Sequence, residues 1–345
     1  MKAVVKFGCN PGEVELRDAP EPTITEDDVL LEVAAAGVCG SDIEMWHHDV
    51  TFRVNVPVIQ GHEFSGTIRE VGKRVKGWKV GDRVTSETHA YICGECVFCK
   101  SGEVNLCPER LGFGYGTDGA FARYVKVPAR ILHRLPENVS FEHAALTEPA
   151  CVSYNAIVVK SELRAGEPLM VIGPGPIGLF AVQVGRISGA TPIILVGMQA
   201  DAKRMEIGKE LGATHTFVAD REDVAKKVME LTKGLGAPLI VDAAGRSKAV
   251  ELALATVRRN GQITKVGWGP QPLGLSLDPL LAKAARLQGT FSHTYRTWEA
   301  VLALTSAGAI RMGPMISHKF IISEWRKAYE LMDRREAVKV VLVPE

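Results

Sequence analysis

Net charge is nearly absent from this chain: 41 Lys and Arg stand against 40 Asp and Glu, a formal balance of +1. So small an excess supplies no field to draw nucleic acid or an anionic membrane, so neither is expected as a partner. Only a local basic pocket is left as a means of holding a polyanion. Long apolar runs are also missing. No stretch approaches the roughly 18 residues of a membrane-spanning helix. The opening MKAVVKFG enters an apparent strand with no apolar leader or cleavage pattern, so a secretory signal is not expected. Cysteines are few. Of the seven, four crowd between positions 93 and 107, which in a long chain points to metal rather than disulfides and to a reducing cytoplasm. There is no internal repeat and no low-complexity tract.

At 345 residues the chain is too long for one ordinary core, so two domains are expected. Residues 1–152 carry short β patterns such as Val29 to Val33, Gly66 to Val71 and Tyr124 to Val127, with Gly72, Gly77 and Gly81 in turns. Long helical periodicity is scarce there. From about 153 the pattern alternates: apolar runs at Leu169 to Ile172, Ile193 to Val196, Leu239 to Asp242 and Ile263 to Val266 are interleaved with helical stretches near Leu179 to Ser188 and Ala202 to Leu211. Strands alternating with helices predict a parallel, doubly wound sheet over 153–294. The tail, 295–345, with helices at Trp298 to Ser306 and Glu324 to Asp333 and a strand at Lys339 to Val343, is expected to return to the first domain. The fold class is therefore α/β, with an irregular β-rich domain beside a parallel-sheet one.

Cys93, Cys96, Cys99 and Cys107 read C-x2-C-x2-C-x7-C. Four thiolates on one loop can close around Zn²⁺ and leave no open position, so such a site is structural; an iron–sulfur cluster is the alternative. A second set is dispersed: Cys39, His62, Glu63 and Glu148. Together they offer the S, N and O donors that a catalytic zinc takes while keeping room for substrate. Alcohol oxidation calls for such an ion, because hydride leaves an alkoxide far more readily than a neutral alcohol.

Gly173-Pro174-Gly175-Pro176-Ile177-Gly178 is G-x-G-x-x-G between a strand and a helix. Gly173 makes the turn, Gly175 admits the pyrophosphate, Gly178 lets helix and strand pack, and the helix N-terminus meets the phosphates. The acid that selects NAD belongs at the end of the next strand. There the chain reads Gly197-Met198-Gln199, with Asp201 late and Lys203 and Arg204 nearby, so use of either NAD or NADP is predicted. Ala243, Val266 and Gly267 end later strands and are expected beside the nicotinamide, and Ser292 is counted with them.

These strings, with Gly61-His62-Glu63, Gly66, Gly72 and Gly81-Asp82-Arg83-Val84 in the same order, resemble the zinc-containing medium-chain dehydrogenase/reductase family over essentially the whole chain. Within it the sorbitol, L-iditol and threonine dehydrogenases are most similar. The resemblance implies a GroES-like catalytic domain, a Rossmann domain, two zinc ions per subunit and a homo-oligomer, dimer or tetramer. It places Cys39, His62 and Glu63 at the catalytic zinc, with Glu148 either a ligand or a partner of its water. Ser41 matches the hydroxyl that begins the proton relay. Glu44 stands where the family often has a relay histidine, so Glu44, His47 or His48 would continue the path. His293 takes the place of an arginine that touches substrate in sorbitol dehydrogenases. The expected activity is hydride transfer between a polyol, cyclitol or sugar alcohol and NAD(P), through a cleft with zinc on one wall and nicotinamide on the other. The stretch Ser86-Glu87-Thr88-His89 resembles the threonine enzymes and makes an amino alcohol the alternative. A non-enzymatic zinc protein of the same fold is a remote one.

Overall fold

Strand Asp28–Gly37 is buried along almost its whole length because other strands cover it on both edges. In the computed structural model, which describes residues 1–345, it pairs antiparallel with Glu63–Val71 on one side and with Tyr124–Pro128 and Lys339–Val343 on the other. The sheet continues outward through Arg83–Ser86 and Leu132–Arg134, and on the far side through Ile316–Ile321. Gly66 is required at the centre: a Cβ there would lie 2.1 Å from the Glu32 carbonyl oxygen. A smaller sheet of Val14–Asp18, Lys2–Lys6 and Val58–Ile59 adjoins it. Leu31, Phe64, Ile68, Phe121, Trp325 and Tyr329 lie in the core between these layers. Helices before residue 146 are short, none longer than the seven residues of Gly40–Trp46.

The second unit is the parallel sheet. Its strands run in the order His215–Val218, Ile193–Gly197, Leu169–Ile172, Ala237–Asp242, Val257–Lys265, Arg286–Gly289, and every pairing is parallel. The first three inner strands are buried throughout, the mark of a sheet covered by helices on both faces. Strand order reverses between Leu169–Ile172 and Ala237–Asp242, the switch point at which such sheets bind ligands.

Contacts divide the chain into Met1–Glu148, His293–Ala307 and Ile316–Glu345 on the one hand and Pro149–Ser292 with Gly308–Met315 on the other. The division differs from the sequence reading, which put 308–315 with the first unit and 149–152 there too. Hydrogen bonds hold the segment: Arg311 N–H donates to Gln183 Oε1 at 2.7 Å, Arg311 Nη2 to Glu210 Oε1 at 2.5 Å, and Arg186 Nη2 to the Ala309 carbonyl at 2.9 Å. No helix is long and apolar enough to cross a membrane.

Candidate active site

Antiparallel register brings the first donors together. Glu63 pairs opposite Gly37, so His62 and Glu63 at the start of one strand face Cys39, two residues past the end of its neighbour. Cys39 then caps helix Gly40–Trp46, and its N–H donates to Asp42 Oδ2 at 2.9 Å. Donor atoms of Cys39, His62 and Glu63 all lie within 4.8 Å of one another. A tetrahedral zinc with bonds of about 2.0–2.3 Å has edges of roughly 3.3–3.8 Å, so this set is close to sharing one cation. Glu148, in helix Thr147–Tyr154, is outside that set but beside it, acting electrostatically on both His62 and Glu63.

The pocket's charge is unusual for a protein interior. Buried Lys339 donates to both carboxylate oxygens of buried Glu63, at 2.6 Å for Oε2, and to the Val38 carbonyl at 2.9 Å. Burial disfavours the Lys339 ammonium, yet Glu63 and Cys39 outweigh it and hold its proton more firmly than usual. Burial likewise opposes a charged His62, but Cys39, Asp42 and Glu148 prevail and raise its proton affinity well above the ordinary value. Donors that pull so hard on a proton would also pull on a dication. His62 Nδ1 and Asp42 Oδ1, 4.0 Å apart, have no hydrogen-bond partner. Sulfur, nitrogen and carboxylate donors with surplus negative charge fit zinc.

Ser41 and Glu44 are half-buried on the same short helix as Cys39's cap. His47 and His48 are exposed, and His47 pairs with Asp333 at 3.1 Å. A third group, Glu87, His89 and His293, is wholly buried. It does not make another metal site, because both nitrogens of His293 are committed: Nδ1 accepts from Trp298 Nε1 at 2.7 Å, and Nε2 lies 3.3 Å from Glu148 Oε1.

The four-cysteine lobe brings its sulfurs within 4.8 Å of one another. Cys93 Sγ lies 3.9 Å from Cys99 Sγ and 3.6 Å from Cys107 Sγ, against about 3.8 Å for the edge of a tetrahedron with Zn–S bonds near 2.3 Å. Backbone N–H groups of Cys93, Cys96 and Cys99 each point at a sulfur at 3.4 Å. N–H groups of Glu95 and Cys96 bring the Cys93 thiol down to about 7, while desolvation and neighbouring thiols push Cys99 up to about 12.

In the second unit the glycine run follows strand Leu169–Ile172 and opens helix Pro176–Ile187, with Gly175 as cap and Pro176 in the first turn. A Cβ on Gly178 would meet the Gly173 carbonyl oxygen at 1.8 Å. Ile177 sits between them on the helix. Across the switch point, Asp242 Oδ1 accepts from Ala244 and Gly245 N–H at 3.0 Å each, shaping the loop that carries Ala243. Val266 and Gly267 follow strand Val257–Lys265, and both N–H groups donate to the Asp242 carbonyl at 2.9 Å. Ser292 takes a positive φ of 55°. Beyond Gly197, the Gln199 N–H donates to Asp220 Oδ1 at 2.8 Å, so a carboxylate does stand near that strand end, supplied by the next strand's loop. Arg204 is largely buried and lies 3.9 Å from Asp201.

Sequence reasoning gave no role to Lys339, Asp42, Trp298 and His133, and named Glu87 only within the stretch Ser86 to His89. Lys339 had a signal, a lysine heading an otherwise apolar strand; Asp42 and Trp298 meet partners only three and five residues away, whereas His133 meets Glu87 and Glu299 across 46 and 166 residues and leaves no local trace.

Comparison with known proteins identifies the family. Residues 25–137 match the alcohol dehydrogenase GroES-like domain, and residues 176–307 match the zinc-binding dehydrogenase family. A sorbitol dehydrogenase of Halalkalibacterium halodurans is 39% identical, covering 100% of this chain and 99% of its own. An L-threonine 3-dehydrogenase of Bacillus licheniformis is 34% identical over 100% of this chain and 99% of its own. The solved structure of a zinc-binding dehydrogenase from Sinorhizobium meliloti, bound to NADP, superposes with a TM-score of 0.92 at 29% identity and covers 99% of both chains. With a GroES-like unit, a Rossmann-type parallel sheet and relatives matched end to end, this chain belongs to the zinc-containing medium-chain dehydrogenases, NAD(P)-linked enzymes that oxidise alcohols.

Proposed function

We propose that the chain oxidises a secondary alcohol of the polyol, cyclitol or sugar-alcohol class with either NAD or NADP. The observation that carries the reading is the convergence of Cys39, His62 and Glu63, with Glu148 alongside, in a buried and anionic pocket. Cys39 and His62 would hold the catalytic zinc, with Glu148 or Glu63 supplying a carboxylate ligand. Glu63, both of whose oxygens face Lys339, is the weaker candidate ligand and tunes the pocket's charge. A set with a carboxylate among its ligands is harder than a Cys2His set and suits a chelating, hydroxyl-rich substrate. The bound zinc supplies Lewis acidity that eases loss of the substrate's hydroxyl proton. Ser41 would accept that proton, and Glu44 on the same helix is a candidate for the next step outward. The glycine turn and helix N-terminus hold the dinucleotide phosphates. Cys93, Cys96, Cys99 and Cys107 would hold the second, structural zinc. Strand Arg286–Gly289 is exposed throughout and paired on one edge only, which supports a homo-oligomer formed by edge pairing. The thiol-rich lobe suits a reducing, cytoplasmic setting.

The amino-alcohol reading has the threonine-dehydrogenase likeness in its favour. Against it, His89, which that reading would turn toward substrate, is 1% exposed and lies 3.4 Å from Glu87. A panel of polyols and L-threonine, each with NAD and NADP and followed by reduced-nicotinamide absorbance, tests the proposal. Turnover of a polyol is expected with both cofactors. Turnover confined to L-threonine would overturn the substrate class, and a preference for NAD of about 10³-fold in kcat/KM, roughly 4 kcal/mol, would overturn the cofactor reading.

A further inference from the structure

We infer that His293 and Trp298 form a clamp that sets the position of Glu148: the Trp298 indole decides which ring nitrogen of His293 carries the proton, and that nitrogen holds the carboxylate. The inference rests on the zinc-dehydrogenase reading above and assigns a positioning role to two residues.

An indole N–H donates and never accepts. Trp298 Nε1 lies 2.7 Å from His293 Nδ1, so Nδ1 must offer its lone pair and Nε2 must carry the hydrogen. That N–H has two acceptors in reach, Glu148 Oε1 at 3.3 Å and Thr88 Oγ1 at 3.5 Å. Thr88 Oγ1 already accepts from Arg110 Nη2 at 2.8 Å, and a carboxylate is the stronger acceptor. The proton therefore points to Glu148. His293 and Trp298 are fully buried and Glu148 is 8% exposed, so water competes little for these bonds.

Local structure makes the clamp rigid. His293 immediately precedes Thr294, the cap of helix Tyr295–Ser306, and Trp298 lies in that helix's first turn. Helical side chains lean toward the N-terminus, which aims Trp298 back at the residue five before it. The two rings meet edge-on, at 5.1 Å and 83°. On its other side Trp298 is stacked by His133, at 5.3 Å and 11°. His133 is itself held between Glu299 Oε1 at 2.5 Å and Glu87 Oε1 at 3.3 Å. Three buried rings, those of His293, Trp298 and His133, thus pack around one hydrogen bond. Groups that orient a metal's ligands typically govern metal affinity by about 10–100-fold.

The test measures zinc affinity of the open site by competition with a chelator, together with the visible spectrum of cobalt placed there. His293→Leu is expected to weaken open-site zinc about 10–100-fold and shift the cobalt bands, with the cysteine-lobe zinc unchanged. His293→Gln, whose amide N–H donates from nearly the same place, should recover most of the loss. Trp298→Phe, which leaves either tautomer free, should fall between them. Leu and Gln variants with equal affinities, or a His293→Leu chain within about twofold of wild type, would overturn the clamp. Should His293→Leu fail to fold, Trp298→Phe decides alone, since unchanged affinity and cobalt bands in it would overturn the inference. A wild-type chain whose open site took neither zinc nor cobalt would instead refute the zinc reading itself.

Discussion

Lys339 and Glu63 show how one side chain sets the terms for its neighbours. Both are buried, and each charge is tolerated because the other is present. Replacing Lys339 with Met leaves a carboxylate uncompensated beside Cys39, and removing one partner of a buried pair costs about 3–5 kcal/mol. Chemical denaturation of Lys339→Met should report that loss, and the double variant with Glu63→Gln should regain much of it; a single variant as stable as wild type would contradict the pairing. A gentler case is Asp82, 6% exposed, whose carboxylate is held low by Arg134 at 3.0 Å and by the Lys79 N–H at 3.1 Å. Arg134 is half-exposed, so screening limits the pair to about 1 kcal/mol. A carboxyl whose folded value is depressed stabilises the fold above its unfolded value near 3.9 and loses that contribution as pH falls through the folded one. The thermal-stability gap between wild type and Asp82→Asn should therefore be present at neutral pH and close below about pH 4. A gap that persists or widens in acid would show that another contact is responsible.

At the scale of elements, the strand–turn–helix from Leu169 to Ile187 is the proposed dinucleotide site, and its tolerance for side chains is small. Gly178→Ala would drive a methyl to 1.8 Å from the Gly173 carbonyl oxygen, so the helix start must shift away from the strand. Fluorescence titration with NADH and NADPH should show at least about tenfold weaker binding, with the zinc content unchanged; native affinity would mean that the turn does not hold the phosphates. This element was legible from residues alone, because the glycine spacing, the apolar strand before it and the helix after it all act within a short stretch of chain. The cysteine lobe was legible for the same reason. Strand Arg286–Gly289 was not: it lies at the sheet edge, exposed along its length, and so lacks the apolar run by which its neighbours were read. Gly308–Met315 groups with the second unit because Arg311 finds Glu210 and Gln183, 101 and 128 residues away. Pairings across such distances leave no local periodicity. Glu63 was read as a ligand candidate from its place beside His62, but its engagement by Lys339 depends on a strand near the end of the chain.

At the scale of the whole molecule, two candidate metal sites of different design lie in the first unit. One is a closed loop of four sulfurs; the other gathers Cys39, His62 and Glu63 from separate strand ends, beside Glu148 on a helix. They should respond differently to substitution, since the lobe's ligands all come from one loop while the open site depends on the sheet's register. The central claim is that the open set binds zinc and that the alcohol's chemistry depends on it, and metal analysis of the wild-type and Cys39→Ala chains tests this most directly. The account predicts two zinc per chain in wild type and one in Cys39→Ala, with the four-cysteine site still filled and kcat down by about 10³-fold. A wild-type chain with a single zinc, or a Cys39→Ala chain that kept both ions and its turnover, would contradict it.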